Sequence, residues 1–194
     1  MKAMTTDEAK KWCSNEATGL RLTHDGVLSY RRPGEHRFFI TAPEEHREIV
    51  VLTRHILVFR GEENFSGGLL WLHRWDIGSP QLVRVGWRIL EDIRRAHGEL
   101  QSLETAPAQL FREDEIVELH AFLIQAIAFG WLADFIPCST GSFLHFKTNR
   151  QICFTAESAE TLRELRTAFQ EWNPTDEDPM VAKMASIERS RKGP

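Results

Sequence analysis

The histidines of this chain, and the aromatic and acidic residues beside some of them, are the side chains best suited to chemistry. His73 stands between Trp71 and Trp75 at alternate positions. If this stretch is a β-strand, the three side chains share a face, because successive side chains of a strand point to opposite sides. Two indole walls around an imidazole that titrates near neutral pH could form a ligand pocket or an acid–base site. The alternative, which the pattern favours, is a sheet face covered by helices, with His73 hydrogen-bonded inside it or near an edge.

Asp76 follows this stretch and could serve as an acidic partner for His73. Asp residues also stabilise turns, and Asp76 comes shortly before Ser79 and Pro80. Ser at an N-cap and Pro at the first helical position are typical of a helix start. A turn and a cap therefore explain this end of the stretch without a functional role.

His120 is a second candidate, on a helix that the pattern predicts between residues 113 and 129. At about 100° per residue, His120 lies nearly opposite the polar stripe of this helix and beside apolar side chains. Glu118 could be its acidic partner. A buried imidazole needs a hydrogen-bond partner, because an unsatisfied polar group in apolar surroundings costs about 1–3 kcal/mol. A structural histidine with a satisfied ring is therefore the favoured interpretation.

His145 is the third candidate, since Phe143, His145 and Lys147 would share one face of a strand. If that strand neighboured the one that carries His73, the two imidazoles could meet and bind a metal. The sequence contains no HExxH or HxH spacing, and the cysteines at positions 13, 138 and 153 form no CxxC pair. We therefore expect no metal site and no cofactor.

Two further stretches superficially resemble reactive sites. Residues 137–142 surround Cys138, but the loop contains no Lys or Arg that would lower the pKa of the thiol. The nucleophile-elbow, phosphate-loop and dinucleotide glycine patterns are absent from the sequence. The helix predicted after Pro80 interleaves four arginines with Glu91 and Asp92, which predicts a solvated, self-neutralising face: Arg84, Arg88, Arg94 and Arg95.

Periodicity, caps and turn residues predict the elements that must position these side chains. Thr6 predicts the cap of a first helix that runs to about Ala17, and Pro33-Gly34 predicts a hairpin turn between strands 27–31 and 36–41. Residues 43–59 fit either a helix or two strands, and we favour the helix. Further strands are expected at 69–75, 134–137, 143–147 and 151–155, the last two as a hairpin, and further helices at 79–97, 113–129 and 157–172.

This order of elements favours an α+β fold, in which several helices pack on an antiparallel or mixed β-sheet, because the strands come mostly as hairpin pairs. We expect a single compact domain over residues 1–172, with a candidate seam in the loop at 98–111. Residues 173–194 are polar and are expected to form a partly disordered tail or a loosely docked helix.

Composition and charge argue against several classes of protein. The formal net charge of −4 gives no overall attraction to nucleic acid or to an anionic membrane. The longest apolar run, residues 121–129, is too short to span a bilayer, and the first residues contain no apolar signal segment. Together with three scattered cysteines, these features predict a cytoplasmic protein with reduced thiols.

Six Trp and twelve Phe beside a single Tyr are an unusual aromatic content. Trp is frequent at binding hot spots, and no catalytic motif is present. The leading hypothesis is therefore a non-catalytic cytoplasmic binding or interaction protein that uses an aromatic-rich surface or pocket. Its partner would be another protein or a second copy of the chain, and neither nucleic acid nor a membrane is expected. The alternative is a small hydrolase-like enzyme built around His73 or His120 with an acidic partner such as Asp76 or Glu118.

Overall fold

The computed structural model describes residues 1–15, 19–23, 28–30, 36–74, 80–138, 141–147 and 150–178 of the chain. Within them the chain forms five α-helices and nine β-strands, which confirms the α+β fold. The strands are β1 (Lys2–Met4), β2 (Leu20–Leu22), β3 (Leu28–Tyr30), β4 (His36–Thr41), β5 (Gly68–Arg74), β6 (Ala108–Phe111), β7 (Leu132–Pro137), β8 (Ser142–Phe146) and β9 (Gln151–Ala156). The helices are α1 (Thr6–Cys13), α2 (His46–Val58), α3 (Pro80–Ala96), α4 (Ile116–Ala128) and α5 (Ala159–Ala168). Short 3₁₀ turns follow α2 and α5, at Glu62–Asn64 and Gln170–Trp172.

Seven of these strands form one antiparallel sheet in the order β1-β6-β5-β7-β8-β9-β4, and β2 pairs with β3 separately. On one face, which we call the core face, α2, α4 and α5 pack on alternate strand residues such as Leu70, Phe135 and Leu144. On the opposite face, which we call the α1 face, α1 and the β2–β3 pair cover a smaller cluster around Leu69 and Trp71. The histidines that lie on strands β5 and β8 project from the α1 face.

The first helix shows how local sequence sets an element's start. Thr5 Oγ1 accepts a hydrogen bond from the amide of Glu8, and the Glu8 carboxylate accepts one from the amide of Thr5 at 2.8 Å. The two residues form a capping box, which satisfies amides that a helix start leaves unpaired. The cap is therefore one residue before the predicted Thr6. The helix ends at Cys13, while the predicted end at Ala17 lies outside the described residues.

Most of the predicted elements are confirmed with shifted ends. The helix interpretation of residues 43–59 is right, and the other three predicted helices correspond to α3, α4 and α5. The expected strands at 69–75 and 134–137 correspond to β5 and β7, and the expected hairpin is formed by β8 and β9. Ser79, the predicted cap of α3, lies outside the described residues. Among the helices in the described ranges, none combines the length and the apolar composition that crossing a bilayer requires.

The hairpin predicted between strands 27–31 and 36–41 is wrong. β3 pairs with β2, whereas β4 pairs with β9 along its whole length. This pairing stacks Phe38 on Phe154, with 4.7 Å between the ring centroids, a contact that stabilises the β4–β9 pair. The turn residues that suggested the hairpin, 31–35, lie outside the described residues.

The stretch at 98–111, expected to be a loop and a candidate seam, contributes β6 to the sheet. This strand pairs with β1 on one side and with β5 on the other, so residues 108–111 are part of the sheet. Neither β1 nor β6 was expected from the sequence. Strands of three or four residues are too short to show a clear alternation of apolar and polar side chains.

Arg94 on α3 is not part of a solvated face, contrary to the prediction. Its side chain is only 1% exposed, and Nη2 donates hydrogen bonds to the carbonyls of Ala106 at 2.8 Å and Ala108 at 3.3 Å. These carbonyls belong to the chain that leads into β6, so Arg94 ties the helix to the sheet. Burial lowers the pKa of its guanidinium to about 10. The neighbouring Arg95 behaves as predicted and pairs with Glu91 at 3.1 Å.

Candidate functional site

One row of side chains crosses the α1 face of the sheet. In the strand register Phe39 lies opposite Cys153, Cys153 opposite His145, His145 opposite Asp134, and Asp134 opposite Trp71. Residues directly opposite each other on antiparallel strands have Cβ atoms about 4.5–5.5 Å apart. The sheet therefore brings a thiol, an imidazole, a carboxylate and an indole together from sequence positions far apart.

His73 joins this row through an irregularity in β5. Leu72 lies opposite Ala133 and Arg74 lies opposite Leu132, so the register between β5 and β7 shifts at His73. A bulge of this kind leaves one residue unpaired and redirects its side chain. His73 Nε2 consequently lies 2.7 Å from Asp134 Oδ2.

Asp134 binds two imidazoles at once. His145 Nδ1 lies 2.6 Å from Oδ1 of the same carboxyl group whose Oδ2 holds His73. The Asp134 side chain is almost entirely buried, at 7% exposure, whereas those of His73 and His145 are 29% and 34% exposed. We call these three residues the His–Asp–His cluster. The arrangement places a carboxylate inside the protein and the two rings that it holds at the surface.

The carboxyl of Asp134 is ionised in this setting. Burial by itself would raise the pKa of Asp134, because a charge is poorly solvated inside a protein. The hydrogen bonds from His145 and His73 outweigh that effect and hold the pKa below its ordinary value. An ionised carboxylate only accepts hydrogen bonds, so His73 Nε2 and His145 Nδ1 must both carry hydrogen.

The second nitrogen of each ring is then available for chemistry. Within the described ranges, neither His73 Nδ1 nor His145 Nε2 makes a hydrogen bond to the protein. In a neutral ring whose other nitrogen carries the hydrogen, this nitrogen has a lone pair and can accept a proton. The cluster therefore presents two oriented proton acceptors, which become donors when the rings are protonated.

Trp71 and Cys13 form the inner boundary of the cluster. The ring of Trp71 lies 4.7 Å from that of His73, between centroids, and its side chain belongs to the buried cluster under α1. Cys13 is fully buried, and burial, with a smaller contribution from the charge of Asp134, raises the pKa of its thiol to about 12. Cys13 is therefore a neutral packing residue rather than a nucleophile.

The structure brings two of the predicted site residues together and separates a third from them. The strands of His73 and His145 are not neighbours, because β7 lies between them, and each imidazole bonds to Asp134 of β7. His120 lies on α4, where its Nε2 is 2.9 Å from Thr53 Oγ1. Burial lowers the pKa of His120. Trp75 and Asp76 lie outside the described residues.

Asp134 is the site residue that sequence reasoning missed. The sequence predicted it only as the first residue of a short strand. Its apolar neighbours in the sequence nevertheless indicate a special role. Asp134 is flanked in β7 by Ala133, Phe135 and Ile136, all of them buried. Charged side chains are almost never buried unless they are paired. An Asp inside an apolar strand therefore points to partners on the neighbouring strands.

The cluster is not arranged as a metal centre. In the part of the chain that the structure describes, no group of three or more His, Cys, Asp or Glu side chains could hold a metal ion. The nitrogen of each ring that faces the carboxylate is occupied by its hydrogen bond, so the three residues do not converge on a common vacant point. An apolar cavity of about 30 Å³, lined in part by Ile56 and Leu144, lies on the core face and is separate from the cluster.

Comparisons with protein-family models, with curated proteins and with solved structures found no match for this chain.

Proposed function

We propose that the protein is a small enzyme of the hydrolase type and that the His–Asp–His cluster is its acid–base centre. One observation carries the proposal: a buried, ionised Asp134 orients two part-exposed imidazoles, each through one ring nitrogen. A carboxylate behind a histidine fixes the ring and its tautomer and stabilises the imidazolium that forms during proton transfer. Two such rings on one carboxylate suit a reaction that needs both a proton acceptor and a proton donor.

In this proposal His145 is the general base and His73 the general acid. His145 Nε2 would take a proton from the attacking water while the water oxygen bonds to the substrate. His73, protonated at Nδ1, would give its proton to the leaving oxygen or nitrogen. We assign the acid to His73 because the ring of Trp71 lies beside it, with 4.7 Å between centroids, and an indole can stabilise an adjacent positive charge.

The competing hypothesis, a binding protein with an aromatic-rich surface, has less support among the described residues. Their large exposed apolar side chains include neither Trp nor Phe: they are Val51, Val85, Ile89, Leu100 and Val117. The aromatic content is instead used for packing, as in the contacts of Phe154 with Phe38 and Phe169. A cytoplasmic setting fits the proposed enzyme, since its three cysteines are free thiols.

The proposal is tested with a panel of model substrates, namely chromogenic carboxylic esters, phosphoesters and amides. Wild-type protein should hydrolyse at least one class, and His145→Gln and His73→Gln should each lower the rate by about 10²–10⁴-fold. His120→Gln is the matched control, because His120 is a part-buried histidine of the same chain that bonds to Thr53 instead of Asp134. Its rate per folded molecule should stay close to that of the wild type.

Two results would contradict the proposal. One is an activity that survives both cluster substitutions in correctly folded protein, as judged by circular dichroism. The other is no hydrolysis of any of the three substrate classes across the pH range in which histidine titrates, which would leave the cluster as an internal structural element.

A further inference from the structure

Two cationic side chains flank an aromatic ring on the α1 face, next to the His–Asp–His cluster. Lys147 Nζ lies 5.0 Å from the centroid of the Phe39 ring, and the Arg37 guanidinium carbon lies 5.9 Å from it. Phe39 is two strands from His145 in the row, with Cys153 of β9 between them. The sheet thus places positive charge on the same face as the proposed base, two strands away.

A carboxylate of the same chain occupies this positive site. Thr175 exchanges two backbone hydrogen bonds with Phe39, each of 2.8 Å, so the segment after α5 runs along the edge of β4. Three residues further on, the carboxylate of Asp178 forms an ion pair with Lys147. Both partners are part-buried, which limits the screening of their charges by solvent.

We propose that Lys147 binds an anionic group of the substrate, a carboxylate or a phosphate, and that Asp178 occupies this site when no substrate is bound. That the anion belongs to a substrate rests on the proposed function, whereas the anion-binding site itself does not depend on it. Lys147 follows β8 directly and is two residues from His145, about 7 Å between Cα atoms in extended chain. An anion held by Lys147 would therefore place the neighbouring bond of its molecule within reach of His145 Nε2.

Phe39 supports the anion site, and Arg37 adds a second positive charge beside Lys147. The ring of Phe39 is buried, and the charged ends of both side chains lie over it, so the ring supports their positions. Release of Asp178 would remove one negative charge and leave Lys147 with Arg37 as a positive pair. A substrate with one anionic group fits this pair, and a neutral or cationic substrate does not.

The test is a titration with inorganic phosphate and, separately, with acetate at constant ionic strength, followed by NMR of the histidine ring protons. Asp178→Asn removes the internal competitor and should tighten binding of at least one anion by about 2–5-fold. Lys147→Met keeps the apolar stem over Phe39 but removes the charge, and it should abolish the shift that the anion causes in the His145 signals. The two variants change affinity in opposite directions, so a folding defect in one does not remove the test.

Matched controls are available on the same structure. Asp176→Asn alters a carboxylate of the same segment that pairs with Arg166, and Lys2→Met removes a lysine from β1, at the opposite edge of the sheet. Both controls should bind the anion as the wild type does. Equal affinities for Asp178→Asn and Asp176→Asn, or an unchanged affinity for Lys147→Met, would overturn the proposal.

The two proposals fail separately in these experiments. Anion binding that depends on Lys147 supports the site even if no substrate class is hydrolysed. Hydrolysis that depends on His145 but not on Lys147, together with no anion binding, leaves the acid–base centre and removes the anion site.

Discussion

Replacement of Asp134 by Asn tests the energetics of the cluster. The substitution keeps the shape of the side chain but removes the charge to which His73 and His145 are bonded at 2.7 and 2.6 Å. Hydrogen bonds to a charged group contribute about 1.5–3 kcal/mol each. Relief of charge burial offsets part of this loss, but the lowered pKa of Asp134 means that the bonds outweigh burial. We expect the free energy of unfolding to fall by about 1–3 kcal/mol at neutral pH.

The same substitution has a defined pH dependence. Because the folded-state pKa of Asp134 is depressed, its stabilisation is complete above the unfolded-state pKa of about 3.9. The stabilisation is lost as the pH falls through the folded-state pKa, so wild type and Asp134→Asn should converge in stability in acid. Urea unfolding followed by circular dichroism at a series of pH values measures the difference. Asp92→Asn, at an exposed position of α3, serves as the control and should show no such convergence.

Either of two outcomes of this series would contradict a stabilising role for the ionised carboxylate of Asp134. If Asp134→Asn is as stable as the wild type at neutral pH, the two histidine bonds do not outweigh the cost of burying the charge. If the difference in stability persists unchanged to the lowest pH, the loss does not come from the ionised carboxylate.

Two substitutions on α3 test the packing that supports the sheet. Gly86→Ala would place its methyl group 2.5 Å from Cε2 of Phe129. This overpacking should lower the free energy of unfolding by about 1–3 kcal/mol. An unchanged urea midpoint would show that the helix accommodates the methyl group. Arg94→Met should cost about 1–3 kcal/mol, because the Ala106 carbonyl loses its buried donor. Arg95→Met, at an exposed ion pair, should stay within about 0.5 kcal/mol of the wild type, and equal losses for the two arginine variants would contradict the assignment.

The sequence predicts local geometry of the site well. Alternation placed Trp71 and His73 on one side of the sheet, and Phe143 and His145 on one face of β8, because side-chain direction in a regular strand follows position along it. The fold class also followed from the order of elements. These predictions succeed because each depends on neighbouring residues alone.

The features that the sequence did not predict depend on contacts between residues that are far apart in the chain. The order of strands places β7 between β5 and β8, and no local pattern indicates that Asp134 would face both histidines. The shift at His73 is likewise a property of the β5–β7 pair rather than of either strand. Arg94 could not be distinguished from Arg95 by charge spacing, since its burial depends on where β6 lies. The pairing of strands that are distant in sequence therefore sets the geometry of the site, and it also accounts for the predictions that were wrong.

The tautomers of His73 and His145 report on whether Asp134 holds both rings. We expect long-range ¹H–¹⁵N correlation spectra, recorded at a pH where both rings are neutral, to show hydrogen on Nε2 of His73 and on Nδ1 of His145. The second assignment is the more telling one, because an unconstrained histidine favours hydrogen on Nε2. The Asp134→Asn variant should lose this fixed pattern. An Nε2–H tautomer for His145, or fast exchange between both forms in the wild type, would contradict an acid–base centre held by Asp134.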